Sequence, residues 1–170
     1  MFSSFGLLVP YVASLSSTPV PCTVEVQGMP AAQLRYHELR IGEQLEPAAA
    51  RVSFDLGAER TVRLVGPRYR GEWTVSPDAC AAGPVPLRAS PLPALVIFHC
   101  PPEEAVVLCR GCSPDVDGRY HGAEEFPAFP MTDFRREVQF VLKAAHYEDR
   151  TVRIVVNPGR NEVDARLRPR

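Results

Sequence analysis

Proline is the residue that most restricts how this chain can fold. Eighteen prolines are spread along the 170 residues. Proline has no backbone N–H to donate, so it is excluded from helix interiors and from central β-strands. The best helix candidate, residues 46–53 around three alanines, is too short to be stable alone. We therefore expect short β-strands separated by turns.

The clearest strand signal lies in residues 134–167, where apolar and polar residues alternate in three successive runs. Such alternation places one face of a strand on a core and the other in water. The runs are separated by turn-like residues at 144–149 and 157–159. The pattern predicts a β-meander with these core-facing residues: Val138, Phe140, Leu142, Val152, Ile154, Val163, Ala165 and Leu167.

The composition limits the domain count and the class of partner. The chain is 45% hydrophobic, enough for a core, and its length suits one large domain or two small ones. A net charge of -1 argues against nucleic-acid binding, which needs a basic surface. Lys143 is the only lysine, and the arginines are scattered, which fits codon usage better than a dedicated anion site.

Residues 1–21 are expected to lie outside the folded units. An apolar run at residues 5–12 is followed by serine, threonine and proline. No basic segment precedes the run, and it is too short for a membrane span. Two interpretations stay open: a flexible leader, or the remnant of a targeting or anchor segment. Contact with a membrane is expected only through this stretch.

The remainder of the chain is predicted to be a tandem repeat of residues 22–90 and 91–170. Similar residues follow one another in the same order in both halves, which is the signature of a duplicated unit. The matched pairs are Val24/Val96, Val26/Phe98, Gly42/Gly122, Pro47/Pro127, Phe54/Phe134, Arg60/Arg136, Val62/Val138, Leu64/Phe140 and Tyr69/Tyr147.

The second unit also carries a series of turn motifs. Pro102-Glu103-Glu104-Ala105 follows its first strand, and residues 116–127 supply an Asp-Gly, a Gly and a Pro. Ala145-His146-Tyr147 and Asn157-Pro158-Gly159 come later. This succession resembles the PEGA domain, although Glu104 and His146 stand where the family has glycine. The first unit resembles the family only at these positions: Gly42, Pro47, Tyr69 and Gly83.

The resemblance implies an all-β fold of two small antiparallel β-sandwiches, similar to transthyretin. PEGA domains are bacterial extracytoplasmic modules, often in tandem and often attached to serine/threonine kinases. They are regarded as interaction or structural modules. The resemblance therefore implies a non-catalytic role in the cell envelope, without a cofactor and with a protein or an envelope polymer as partner.

The five cysteines allow two different predictions. A local disulfide is expected between two of Cys100, Cys109 and Cys112, and a second between Cys22 and Cys80. Such bonds suit an extracytoplasmic module. Alternatively, the same three cysteines with His99 or His121 could bind zinc in a cytoplasmic, zinc-stabilised module.

No catalytic motif is present, and His37, His99, His121 and His146 lie in separate segments, so no enzymatic activity is expected. One aromatic and cationic cluster is a candidate ligand-contact patch. If it is exposed, it favours a second candidate function, binding of carbohydrate or peptidoglycan. If its aromatic rings lie in the core, only its arginines meet water. The patch comprises Arg68, Tyr69, Arg70 and Trp73.

Overall fold

The computed structural model describes residues 18–99, 101–102, 104–112, 119–121 and 125–170, with residues 119–121 described by their backbone alone. Most of the predicted leader, Cys100, Glu103 and the turn residues 116–118 and 122 lie outside these ranges. Strands dominate the described chain, which confirms the all-β prediction. The elements are β1 (Val20–Gln27), α1 (Ala31–Leu34), β2 (Glu38–Ile41), β3 (Gln44–Pro47), β4 (Arg51–Leu56), β5 (Arg60–Val65), β6 (Tyr69–Val75), α2 (Pro77–Ala82), β7 (Val85–Arg88), β8 (Ser90–Pro91), β9 (Ala94–His99), β10 (Val106–Arg110), β11 (Arg119–His121), β12 (Glu125–Phe129), β13 (Arg136–Lys143), β14 (Arg150–Val156) and β15 (Gly159–Asp164).

The strands form four small sheets, two in each half of the chain. The first half contains a sheet of order β4-β1-β7 and a sheet of order β3-β2-β5-β6-β8. The second half contains sheets of order β12-β9-β15 and β11-β10-β13-β14. Neighbouring strands are antiparallel except β1 with β7 and β9 with β15, which are parallel. Apart from the two-residue strand β8, the two halves therefore have the same strand order, with the seven strands β9 to β15 equivalent to β1 to β7.

Each half has its own hydrophobic core between its two sheets. One cluster of buried residues runs from Cys22 to Ala89, and the other from Ala94 to Ala165. In the second cluster Phe140 of β13 meets the ring of Phe98 of β9 edge-on, at 5.1 Å between ring centroids. Because these strands belong to different sheets, the contact crosses the core, as in a β-sandwich.

Several of the predicted repeat matches occupy equivalent positions. The amide of Ala89 donates to the carbonyl of Gln27, and Ala165 donates in the same way to His99. With these two hydrogen bonds taken as equivalent, Val24 corresponds to Val96 and Val26 corresponds to Phe98. The matched series that begin at Arg60 and Arg136 open the equivalent strands β5 and β13.

The tyrosine match is also equivalent in structure. Tyr69 pairs with Pro91, and Tyr147 forms an isolated bridge with Pro169, so in each unit the tyrosine meets the segment that leaves the last strand. His146, just before Tyr147, adopts a positive φ of 65°. Left-handed φ values favour glycine, so the position is one where a turn glycine would be expected. The resemblance to PEGA domains itself stays a prediction.

Other predicted matches do not correspond. Pro47 ends β3, whereas Pro127 lies inside β12, the equivalent of β4. Phe54 lies in β4, whereas Phe134 lies in the connection between β12 and β13. The connections differ in length between the two units, so residues at a similar sequence offset fall on different elements.

The predicted meander is wrong in its third strand. β13 and β14 pair as antiparallel neighbours, but β15 crosses to the other sheet and runs parallel to β9. The turn at Pro158-Gly159 makes this crossing, and Val163 and Ala165 still face the core. The alternation of apolar and polar residues indicates which face of a strand is buried. It does not indicate which other strand lies beside it in the sheet.

Two boundaries and one predicted strand also differ from expectation. β1 begins at Val20, inside the predicted leader. The predicted boundary between residues 90 and 91 falls within β8, which pairs with β6 of the first unit. The spacing of Leu34 and Tyr36 in the sequence suggests a strand, but Leu34 ends the short helix α1, Tyr36 lies in the following turn, and β2 starts at Glu38.

Candidate functional site

Two cysteine pairs lie at disulfide-bonding distance, as predicted. Cys22 in β1 meets Cys80 in α2, with 4.8 Å between their Cα atoms. Cys109 in β10 meets Cys112 after the following turn, with 6.0 Å between Cα atoms. Both separations lie in the range of protein disulfides. Paired cysteines of this kind are typical of an oxidising environment.

The predicted zinc ligands do not form a metal site within the part of the chain that is described. No group of three or more Cys, His, Asp or Glu side chains is arranged there to hold a metal ion. Cys109 and Cys112 are paired with each other, and the Nε2 atom of His99 lies 3.2 Å from a carboxylate oxygen of Glu162. Cys100 and the side chain of His121 lie outside the description.

The predicted ligand-contact patch is divided between two faces of β6. Tyr69 is only 2% exposed and belongs to the first core. Trp73 is half-buried, packs against the same core and lies across Gly71. Arg70 alternates to the opposite, solvent-facing side. The structure therefore matches the alternative in which the aromatic rings pack inward, and the four residues form no common surface.

The fourth member of that patch, Arg68, lies at the junction between the two units. Its Nη1 atom donates a hydrogen bond to the carbonyl of Pro158, at 3.2 Å, and its own carbonyl accepts from the amide of Leu92. Phe134 of the second unit packs against the first core and stacks on the ring of Tyr69, with 6.5 Å between centroids. The junction therefore combines apolar packing with hydrogen bonds.

Replacing Gly159 with alanine is expected to open this junction. Gly159 has a φ of 80°, and a Cβ atom there would collide with the carbonyl oxygen of Pro67. The left-handed backbone costs a non-glycine residue about 1–2 kcal/mol, and the collision pushes the units apart. Small-angle X-ray scattering should therefore show a larger radius of gyration for G159A.

The matched control is G83A, because Gly83 is the equivalent residue of the first unit. Its φ of 136° imposes backbone strain as well, but no atom lies within 4 Å of a Cβ built there. G83A should lose some stability and keep the scattering curve of the parent protein. An unchanged curve for G159A would contradict the role assigned to the contact with Pro67.

A groove of about 360 Å³ runs along the junction. Pro67, Arg68 and Tyr36 from the first unit line it, together with Phe134 and Arg160 from the second. Tyr36 is 52% exposed, unusual for a large aromatic side chain. Grooves between packed units are common positions for binding sites. This groove is the best candidate functional site among the described residues.

Arginine side chains cluster around the two aromatic rings of the groove. The guanidinium of Arg35 lies over the ring of Tyr36, 4.6 Å from its centroid. The guanidinium groups of Arg68 and Arg135 lie 6.0 and 5.9 Å from the ring centroid of Phe134. Cations at this distance from a ring face are attracted by its π-electrons. The rings therefore help to hold the arginines in place at the groove.

His37 fixes one wall of the groove. Its side chain is buried; Nε2 accepts a hydrogen bond from the amide of Tyr69 at 3.0 Å, and Nδ1 lies 2.8 Å from the carbonyl of Gln33. An acceptor at Nε2 places the proton on Nδ1, so Nδ1 donates to Gln33. His37 thus ties the α1 segment, which carries Tyr36, to the turn that carries Arg68.

Two groups next to the lining residues of the groove have shifted pKa values, one mainly through burial and one through hydrogen bonds. Burial raises the pKa of the Tyr69 hydroxyl, Arg68 opposes this shift and Asp133 adds to it. Tyr69 therefore remains neutral. Hydrogen bonds from His99 and Arg160 lower the pKa of the exposed Glu162 carboxyl. Glu162 thus stays ionised and neutralises part of the charge of Arg160.

A larger groove of about 540 Å³ lies on the second unit, around Asp149 and Asp164. Its two aspartates form ion pairs within the same unit. A carboxylate oxygen of Asp149 lies 3.0 Å from Nζ of Lys143, and one of Asp164 lies 3.8 Å from Nη1 of Arg150. These charges already have partners, so this groove offers less to a ligand than the junction does.

Sequence reasoning identified Arg68 and missed the rest of the groove. Tyr36 suggested a strand in the sequence, but it lies in a turn that leaves its ring half exposed. Phe134 and Arg160 become neighbours of the first unit only after the two units dock.

No family model, curated protein or solved structure matches this chain. None of the helices in the described ranges has the length and hydropathy needed to cross a membrane.

Proposed function

We propose that this chain is a non-catalytic interaction or structural module of the bacterial cell envelope, acting outside the cytoplasm. The observation that carries the proposal is the succession of two sandwich units of the same strand order, each with one cysteine pair at bonding distance. Small modules of this kind use disulfides in oxidising compartments. The resemblance to PEGA domains adds that the module belongs to a larger envelope protein, such as a kinase.

In this proposal the junction groove is the binding surface. It presents an exposed aromatic residue, Tyr36, and several arginines, a composition enriched in protein interfaces. The carbohydrate alternative relied on an exposed Trp73, which packs against the first core instead. The zinc alternative relied on Cys109 and Cys112, which are paired with each other.

The proposal predicts that Cys22, Cys80, Cys109 and Cys112 are oxidised in living cells. Cells of the producing organism are quenched with acid, the protein is denatured and treated with a maleimide so that buried free thiols also react, and the labelled protein is analysed by mass spectrometry. Protein purified without denaturation is analysed for bound zinc. We expect no maleimide on these four residues and no zinc. Alkylation of all four, or one zinc ion per chain, would place the protein in the cytoplasm and contradict the proposal.

A further inference from the structure

We propose that the junction groove binds an acidic, extended segment of a partner polypeptide through contacts between carboxylates and guanidinium groups. This inference rests on the proposed function, because it specifies the ligand of the same surface. It adds a chemical class of partner and the residues that select it.

Four arginines lie in or beside the groove, although the net charge of the chain is -1. Arg35, Arg68, Arg135 and Arg160 lie around Tyr36 and Phe134 at the junction. Of the neighbouring carboxylates, Glu162 is engaged by His99 and Arg160, and Asp133 stands on the Phe134 connection. A local excess of positive charge attracts a ligand of opposite charge and speeds its association.

The guanidinium groups retain donors for a ligand. Among the described residues, neither Arg35 nor Arg135 takes part in an ion pair. Arg68 uses Nη1 for the carbonyl of Pro158, which leaves its other N–H groups. A guanidinium fork matches a carboxylate in geometry and binds it through two parallel hydrogen bonds. Glutamate or aspartate side chains are therefore the ligand groups that suit this surface.

The aromatic rings favour a peptide over a sugar. A sugar ring binds by lying flat on an open aromatic face. One face of Tyr36 is covered by Arg35, and Phe134 is stacked on Tyr69 with two arginines close to its ring. Phe134 therefore offers little open ring face, and one face of Tyr36 is already taken by Arg35, which leaves less aromatic surface for a sugar ring than for the aliphatic part of a side chain.

The test measures binding of a fluorescein-labelled peptide of alternating glutamate and glycine by fluorescence anisotropy. The variant R35Q/R135Q removes Arg35 and Arg135, whose guanidinium groups lie against the rings of Tyr36 and Phe134. The control R40Q/R70Q removes two exposed arginines of the outer face of the first unit, with the same change in net charge. Circular dichroism of both variants verifies that they are folded.

We expect R35Q/R135Q to weaken peptide binding about tenfold or more, because charge-assisted hydrogen bonds are lost. The control variant R40Q/R70Q should change the dissociation constant of the peptide by less than about threefold, since it affects only screened long-range attraction. Equal weakening in both variants would mean non-specific attraction and would overturn the proposal.

A second ligand separates the peptide from an acidic glycan. Oligogalacturonate carries carboxylates on sugar rings and should bind more weakly than the glutamate peptide. If it binds and the peptide does not, the partner class proposed here is wrong and the groove recognises an acidic polymer. If neither binds, the inference fails, while the proposed function still stands or falls by the oxidation state of the cysteines in cells.

Discussion

Removal of the Cys22–Cys80 pair should lower the free energy of unfolding of the first unit by about 4 kcal/mol. The two cysteines are separated by 58 residues, so the bond restricts a long loop in the unfolded chain. The variant C22A/C80A avoids adding a buried polar group, because both positions are in the core. Urea unfolding followed by the fluorescence of Trp73, the only tryptophan, reports on the first unit.

The second cysteine pair supplies the matched control. Cys109 and Cys112 are only three positions apart, so their bond restricts a small loop and contributes less than about 2 kcal/mol. Because both cysteines lie in the second unit, the urea midpoint reported by Trp73 should be the same in C109A/C112A as in the parent protein. A similar shift in both double variants would show that loop closure is not the source of the stabilisation.

Phe140→Ala should cost the second unit about 3–5 kcal/mol. The side chain is fully buried, and its ring meets Phe98 at 5.1 Å and Phe126 at 5.3 Å, both edge-on. These two partners belong to the opposite sheet, so the truncation leaves a cavity between the sheets. Thermal unfolding followed by far-UV circular dichroism should show a separate, earlier transition for the second unit.

The neighbouring residue tests the specificity of this effect. Val141 follows Phe140 in β13 and points to the outer face, where it is half-buried. Val141→Ala should therefore cost less than about 1 kcal/mol. If both substitutions destabilise the protein equally, the core assigned to the inner face of β13 is wrong. The Trp73 transition should shift much less than the transition of the second unit, since among the described residues the second unit contributes only Phe134 to the first core.

The local features of the fold could be predicted because they depend on adjacent residues. Val138, Phe140 and Leu142 alternate with polar neighbours, and all three are buried in β13. The repeat was visible where equivalent strands bury residues at the same spacing, as at Val24 and Val96. Cysteine pairing within each unit was also predictable, since few combinations were available.

The helix that carries Cys80 was not predicted, although its start signal is in the sequence. Ser76 accepts a hydrogen bond from the amide of Ala79, and Pro77 opens α2. Serine followed by proline is a frequent start of a helix. The density of prolines elsewhere led to an expectation of strands and turns throughout, and six residues are too few for a recognisable helical period.

The candidate site was the least predictable part, because it is formed by residues far apart in the chain. Tyr36 and Phe134 are brought to one groove by the docking of two units, which no local pattern encodes. Arg68 and Tyr69 are adjacent in sequence yet point to the junction and to the core, respectively. For Arg68, Tyr69, Arg70 and Trp73 the sequence left open whether the rings are exposed or buried, and alternation along β6 separates Tyr69 from Arg70.

The parallel pairing of the first and last strands has a mechanical consequence. In each unit the chain enters through β1 or β9 and leaves through β7 or β15, at opposite ends of a parallel pair. Tension along the chain therefore loads the hydrogen bonds of that pair in shear, so they must break together. In the first unit, the covalent bond between Cys22 and Cys80 also keeps the residues between them from extending. A tethered protein of this design can bear load between two anchored ends without lengthening much.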